Sequence, residues 1–253
     1  NIRQTLNNHE KIEIFISNKV IFHFLFENKI ITPDDIIVNE IINYDNGIYP
    51  RYCLFFLPEM KGIVCDKKMI EFEKEVKEND LIDYNEKRKL GENDNYICYL
   101  IRNDFVEEFI SYITKNNISL SIRIQPSIFE SNPFLVNKTP TLMEYAMFFG
   151  SINIINFLFF NNVDLSSSLW LYAIHSNNPE IIHFLESNNV EPSNNNYEEC
   201  CLESIKCHHN DIANYFKTNF LTKNNELKDH ILYYSFENYN FSFFPDDFMH
   251  SFG

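Results

Sequence analysis

Glycine is nearly missing from this chain. There are five in 253 residues, scattered, and none precedes a Lys-Ser or Lys-Thr pair. A loop that cradles phosphate needs glycines at fixed spacing so that backbone amides can approach the anion, which excludes nucleotide hydrolysis of that kind. Basic residues are short too, with 21 Lys and Arg against 36 Asp and Glu and a net charge of −15. Nucleic acid and anionic membrane are both gripped through clustered Lys and Arg, so neither is expected as a partner. A charged partner would be basic. No apolar run is long enough to span a bilayer, since Ile12 to Ile31 is broken by Glu13, Lys19, Glu27 and Lys29. The six cysteines lack the spacing of a disulfide framework and no signal-peptide pattern opens the chain, which points to reduced thiols in the cytoplasm or the nucleus. An initiating methionine is also lacking, as in a fragment.

What is present is a duplication. Between Thr139 and Pro192 one pattern occurs twice without a gap. Thr141-Leu142-Met143-Glu144-Tyr145-Ala146, Gly150, Ile154-Ile155, Phe157-Leu158 and Asn161-Asn162 are matched by Ser168-Leu169-Trp170-Leu171-Tyr172-Ala173, Asn177, Ile181-Ile182, Phe184-Leu185 and Asn188-Asn189. Matched positions lie 27 residues apart (173 − 146). Thr141 and Ser168 are N-cap residue types, each worth about 1 kcal/mol, and Glu144 completes a capping box. Gly150 and Asn177 are the residue types that enter the left-handed conformation most cheaply, so they end a first helix, and Asn162 and Asn189 end a second. Two short helices per unit cannot bury their apolar faces alone and must stack on neighbours.

The run Thr141, Ala146, Gly150, Ile154-Ile155, Phe157-Leu158, Asp164 resembles an ankyrin repeat, with Leu142 and Glu144 where that family has proline and histidine. The phrases Pro140 to Gly150, Ser168 to His175 and Glu198 to Tyr215 resemble a divergent protozoan family of ankyrin-repeat proteins carrying an uncharacterised domain. The resemblance implies an all-α, ankyrin-like helical-repeat solenoid with a helical N-terminal region. It implies no reaction.

Residues 1–60 are helical in period without a clean repeat. Ile12 to Phe26 carries apolar residues on one face, Thr32-Pro33-Asp34-Asp35 opens a helix with proline in its first turn, Asn46-Gly47 marks a turn, and Tyr52 to Leu57 is a buried helical run closed by Pro58. Cys65 to Glu78 reads as a charged amphipathic helix. A boundary at Gly91 to Asp94 divides the chain into an N-terminal helical region, 1–94, and degenerate repeats, 95–253. Tyr96 to Ser119 is a weaker copy, and the insertion Ser121 to Asn137, where Pro126 and Pro133 forbid a continuous helix, is expected to project. Ser204, His208 and Ile212-Ala213 continue the pattern at an offset of 31 (204 − 173). Leu227 to Phe236 opens a further unit whose second helix is missing, as in a chain truncated at its C-terminus, and the aromatic loop Tyr239 to Phe248 follows.

Cys200, Cys201, Cys207, His208 and His209 cluster in sequence, but on a helix they diverge, so buried packing is expected and metal is not. His175, His183 and His230 are isolated on helical segments with no nearby cysteine, which gives no nucleophile and base pair. Trp170 occupies a repeat-core position and reads as core. No catalytic residue and no cofactor is assigned. The residues expected to meet a protein partner are the loop tips Asp164, Leu165, Ser166 and Ser167, then Glu191, Ser193, Asn194 and Asn195. The function expected is a non-catalytic intracellular interaction module or scaffold. The alternative is a component built permanently into a cytoskeletal or other large assembly.

Overall fold

The computed structural model describes residues 6–44, 52–76, 83–221 and 226–244. Among them the secondary structure is helical, with one isolated antiparallel bridge between Arg123 and Thr141. The chain divides into two compact units, Asn1–Tyr99 with Ile124–Thr139, and Leu100–Arg123 with Pro140–Gly253. The division falls a few residues beyond the boundary read from sequence and returns the insertion to the N-terminal unit.

The first unit contains α1 (Asn8–Phe15), α2 (Lys19–Glu27), α3 (Asp35–Tyr44), α4 (Tyr52–Phe55), α5 (Leu57–Met60), α6 (Asp66–Glu75) and α7 (Tyr84–Leu90). The apolar run from Ile12 to Phe26 is two helices, because the Asn18 side chain accepts the Ile21 amide and starts α2 afresh. Asp34 accepts the amide of Ile37, so Pro33 lies ahead of the α3 cap and not in its first turn. Pro58 likewise does not close Tyr52 to Leu57; it sits in the first turn of α5, where a missing amide costs nothing. Asn46-Gly47 and the end of the charged segment at Lys77 and Glu78 lie outside the described residues.

Aromatic rings fill this unit's core. Phe22 meets Phe26 at 4.9 Å and Phe56 at 5.3 Å, edge to face. Arg88 pairs with Glu59 at 2.7 Å beneath Phe55, Phe56 and Tyr84, and burial raises the Glu59 carboxyl despite the adjacent guanidinium.

The insertion does not project. Ile124, Phe129, Leu135 and Val136 are buried, and Phe129 packs edge-on to Tyr84 at 5.2 Å. The buried ammonium of Lys19 donates to the carbonyls of Ile128 at 3.0 Å and Glu130 at 3.1 Å, and Ser131 donates through both its amide and its hydroxyl to Gly91. Proline forbids a helix here but not burial, because the backbone acceptors find side-chain donors instead.

The second unit is built from helix pairs. Helix α8 (Tyr96–Arg102), which crosses the division, precedes α9 (Val106–Lys115); then come α10 (Leu142–Phe149) with α11 (Ile152–Phe160), α12 (Leu169–His175) with α13 (Pro179–Ser187), and α14 (Tyr197–Lys206) with α15 (Asn210–Phe220). Helix α16 (Glu226–Glu237) follows, with single 3-10 turns at Ser193–Asn195 and Phe241–Phe243. First helices pack on first helices, α10 on α12, α12 on α14 and α14 on α16, and α9 packs on α11. Ala146 and Ala173 are fully buried on the first helices, and Ala213 is fully buried on α15, its carbonyl 3.5 Å from Cys201 Sγ of α14.

The helix ends follow one chemistry. Asp104, Gly150, Asn177 and His208 take positive φ between the helices of a pair, and Asn117, Asn162 and Asn189 do so after the second helix. The asparagine before each left-handed residue caps its own helix: the side-chain amides of Asn116, Asn161 and Asn188 donate to the carbonyls of Tyr112, Phe157 and Phe184 at 2.8 Å. The same ending appears in the first unit, where Asn28 donates to the Phe24 carbonyl, Lys29 has φ 53° and the Ile30 amide reaches the Leu25 carbonyl.

Three of the four junctions between successive units share one kind of bond. The carbonyl three residues before a left-handed turn accepts from the following unit: Ile101 from Ser151 Oγ at 2.5 Å, Ile174 from His209 Nδ1 at 2.8 Å, and Ile205 from Asn240 Nδ2 at 2.8 Å. Glu144 bridges as well, accepting the Thr141 amide at 2.8 Å and the Ser168 hydroxyl at 2.7 Å. Thr141 caps α10 as expected; Ser168 does not cap α12, because its hydroxyl is turned to Glu144.

Two substitutions test this packing by urea denaturation. Phe129→Ala is expected to destabilise the chain by about 3–5 kcal/mol, where the same change in a projecting loop would stay within about 0.5 kcal/mol. Ser151→Ala, which removes one of two donors to the buried Ile101 carbonyl and leaves the Asp104 amide on it, is expected to cost about 1 kcal/mol, more than Asn161→Ala at an exposed helix end.

Candidate functional site

The loop residues singled out from sequence lie at the junctions between pairs. Asp164, Ser166 and Ser167 are exposed between α11 and α12, with Leu165 half-buried; Glu191, Ser193, Asn194 and Asn195 are exposed between α13 and α14. The structure brings the two loops together, with the hydroxyls of Ser167 and Ser193 3.2 Å apart. Asn194 and Asn195 both take positive φ, a shape asparagine tolerates well. Below the tips the loops are anchored. Trp170 is buried, as its repeat position implies, and its indole Nε1 donates to the Val190 carbonyl at 2.9 Å, while Pro192 is buried and Tyr197 meets the Trp170 ring at 5.7 Å. The tips are thus presented on a rigid base.

A second cluster was not foreseen. His175 ends α12 and is not isolated: Cys207, the C-cap of α14, places Sγ 3.5 Å from its Nδ1 and 3.8 Å from its Nε2, and Glu203 Oε1 lies 3.0 Å from Nε2. Phe148 stacks on the imidazole at 5.0 Å and 24°. Glu203 and Cys207 are four residues apart, on one face of a helix, and stacking α14 on α12 aligns that face with the last turn below. The i,i+4 pair was readable; its partner, one unit away, needed the stacking register.

The electrostatics do not make Cys207 a nucleophile. Burial pushes its thiol up to about 12, with the Glu203 charge acting the same way and Lys206 opposing. Its similar distances to the two ring nitrogens single out neither of them as a base for the thiol. Burial also works to raise the Glu203 carboxyl, but the His175 hydrogen bond and the Lys206 charge together outweigh it and hold the group below its ordinary range. Cys200 and Cys201 are buried elsewhere on α14, as packing thiols, with Cys201 Sγ 3.5 Å from the Ala213 carbonyl.

In the first unit a cavity of about 230 Å³ is lined by Asn93, Asp94, Gln125 and Ser127, but these groups hold each other: Asn93 donates to the Gln125 carbonyl at 2.9 Å and Ser127 to Asp94 at 2.7 Å. In the second unit Pro179, Ile182, His183, Asp211, Ile212 and Tyr215 line an apolar groove of about 210 Å³ between α13 and α15. Among the described residues no helix is long and apolar enough to cross a membrane.

No family model, curated protein or solved structure matches this chain.

The thiols define a pH response. Cys200, Cys201 and Cys207 are pushed up to about 12, about 11 and about 12 by burial, so folding holds their protons more tightly than the unfolded chain does. The stability this confers is whole below about pH 8.5, the unfolded thiol value, and is lost as pH climbs through the folded values. Under reducing conditions the urea midpoint is expected to fall between neutrality and about pH 10. Iodoacetamide should label the exposed Cys65 well before Cys207, as read by mass spectrometry.

Proposed function

We propose that the second unit is an ankyrin-like solenoid of the divergent protozoan kind, and that the chain serves as a non-catalytic protein-interaction module, working in the cytoplasm. The observation that carries this reading is the row of loop tips. Asp164, Ser166, Ser167, Glu191, Ser193, Asn194 and Asn195 are exposed on adjacent junctions, joined through Ser167 and Ser193, above bases fixed by Trp170. Stacked helical repeats present such surfaces generally, and loops held by a rigid scaffold are where binding residues concentrate. The net charge of −15 favours a partner with basic side chains at the contact.

A second reading has its own support. Tyr233, Phe236, Tyr239 and Phe241 are 63%, 65%, 78% and 51% exposed around α16, more aromatic surface than a free chain commonly leaves bare. In that reading the chain is a component of a large assembly, held through this apolar surface.

Charge reversal separates the two. A chain carrying Asp164→Lys and Glu191→Lys is expected to lose at least about tenfold in affinity for the partner recovered with the wild-type chain from native cells, in a salt-sensitive manner. An association that resists salt, ignores these changes and is broken by Phe236→Ser would establish the assembly role instead.

A further inference from the structure

We infer that His175, Glu203 and Cys207 form a binding site for a single borderline-soft divalent cation of the zinc class. The three side chains offer the nitrogen, oxygen and sulfur donors that such an ion accepts, and one ligand atom from each lies within 4.8 Å of the others. Around a tetrahedral ion with bonds of about 2.0–2.3 Å, neighbouring donors stand about 3.3–3.6 Å apart. The observed separations, 3.0 Å from Nε2 to Glu203 Oε1 and 3.8 Å from Nε2 to Cys207 Sγ, bracket that distance. Small rotations of the Glu203 and Cys207 side chains would bring all three donors onto one ion.

Two features prepare the site. Phe148, packed on the imidazole face, fixes the plane of the ring and therefore the direction of its lone pair. The donors also come from the last turns of two first helices, α12 and α14, so a bound ion would clamp one helix pair to the next. Without an ion, Lys206 stands in for it: its ammonium lies 3.3 Å from both oxygens of Glu203 and its side chain is half exposed, so it can swing away. On binding, the imidazole presents Nε2 with its proton shifted to Nδ1, and the thiol gives its proton to solvent. One proton leaves per ion, and affinity rises with pH. Three protein ligands leave a fourth position for water or another small donor.

Cobalt is the probe. The full chain, metal-stripped and held in a non-chelating reductant, is titrated with Co²⁺ and followed by absorbance. The expected result is one ion per chain, with a thiolate-to-cobalt charge-transfer band that zinc abolishes by displacement. Cys207→Ser should remove the band, and His175→Gln should weaken binding more than about tenfold, since even outer-shell changes at metal sites cost about 10–100-fold. Cys65→Ser should change neither. Lys206→Gln should tighten binding, because it removes the competing positive charge; this variant alters an exposed side chain and tests the site even where the Cys207 and His175 variants fail to fold. Absence of the band, its persistence in folded Cys207→Ser, or unchanged affinity in Lys206→Gln would overturn the assignment.

Discussion

The second unit depends on helix-end backbone carbonyls that are shared between one helix pair and the next. Three of the four first helices, α8, α12 and α14, end in a left-handed turn whose carbonyl three residues earlier, at Ile101, Ile174 or Ile205, accepts the amide of the left-handed residue and also Ser151, His209 or Asn240 of the next unit. A carbonyl has two lone pairs, and filling the second one here contributes about 1 kcal/mol net at each junction. The next unit therefore adds a second bond to a helix end that is already closed by its own backbone. Serine, histidine and asparagine do the same work at three of the four junctions, so the position takes any donor and not a particular side chain.

That degeneracy explains what the sequence disclosed. The left-handed positions were legible at Gly150, Asn177, Asn162 and Asn189, because few residue types suit them, and so was the capping box of Thr141 and Glu144. The cross-unit donors were not, since serine, histidine and asparagine share no letter. In the first unit the helix end at Asn28 was legible from its residue type, but the left-handed slot after it was not, because Lys29 fills it and lysine there carries no signal. The burial of residues 124–139 was hidden for another reason. Ile124, Phe129, Leu135 and Val136 follow neither a helical nor a strand period, and what holds them is a lysine over a hundred residues away, Lys19.

The two surfaces of interest differ in how legible they were. The loop tips are local: polar residues between two helical patterns are exposed wherever the helices stack. The cluster of His175, Glu203 and Cys207 is a property of the stacking itself, arising only when the last turn of α12 lies beside that of α14. Sequence spacing alone placed His175 far from any cysteine, and the fold reversed that.

The asparagine caps carry one more implication. Among the described residues six helix ends are closed by a side-chain amide, at Asn28, Asn116, Asn161, Asn188, Asn219 and Asn238, each donating to the carbonyl four residues back. A lysine or histidine closing the same ends would act through its charge, and so would weaken with added electrolyte or with loss of a proton. A carboxamide has no charge to screen and no proton to surrender near neutrality. These termini are consequently indifferent to acidity and ionic strength alike.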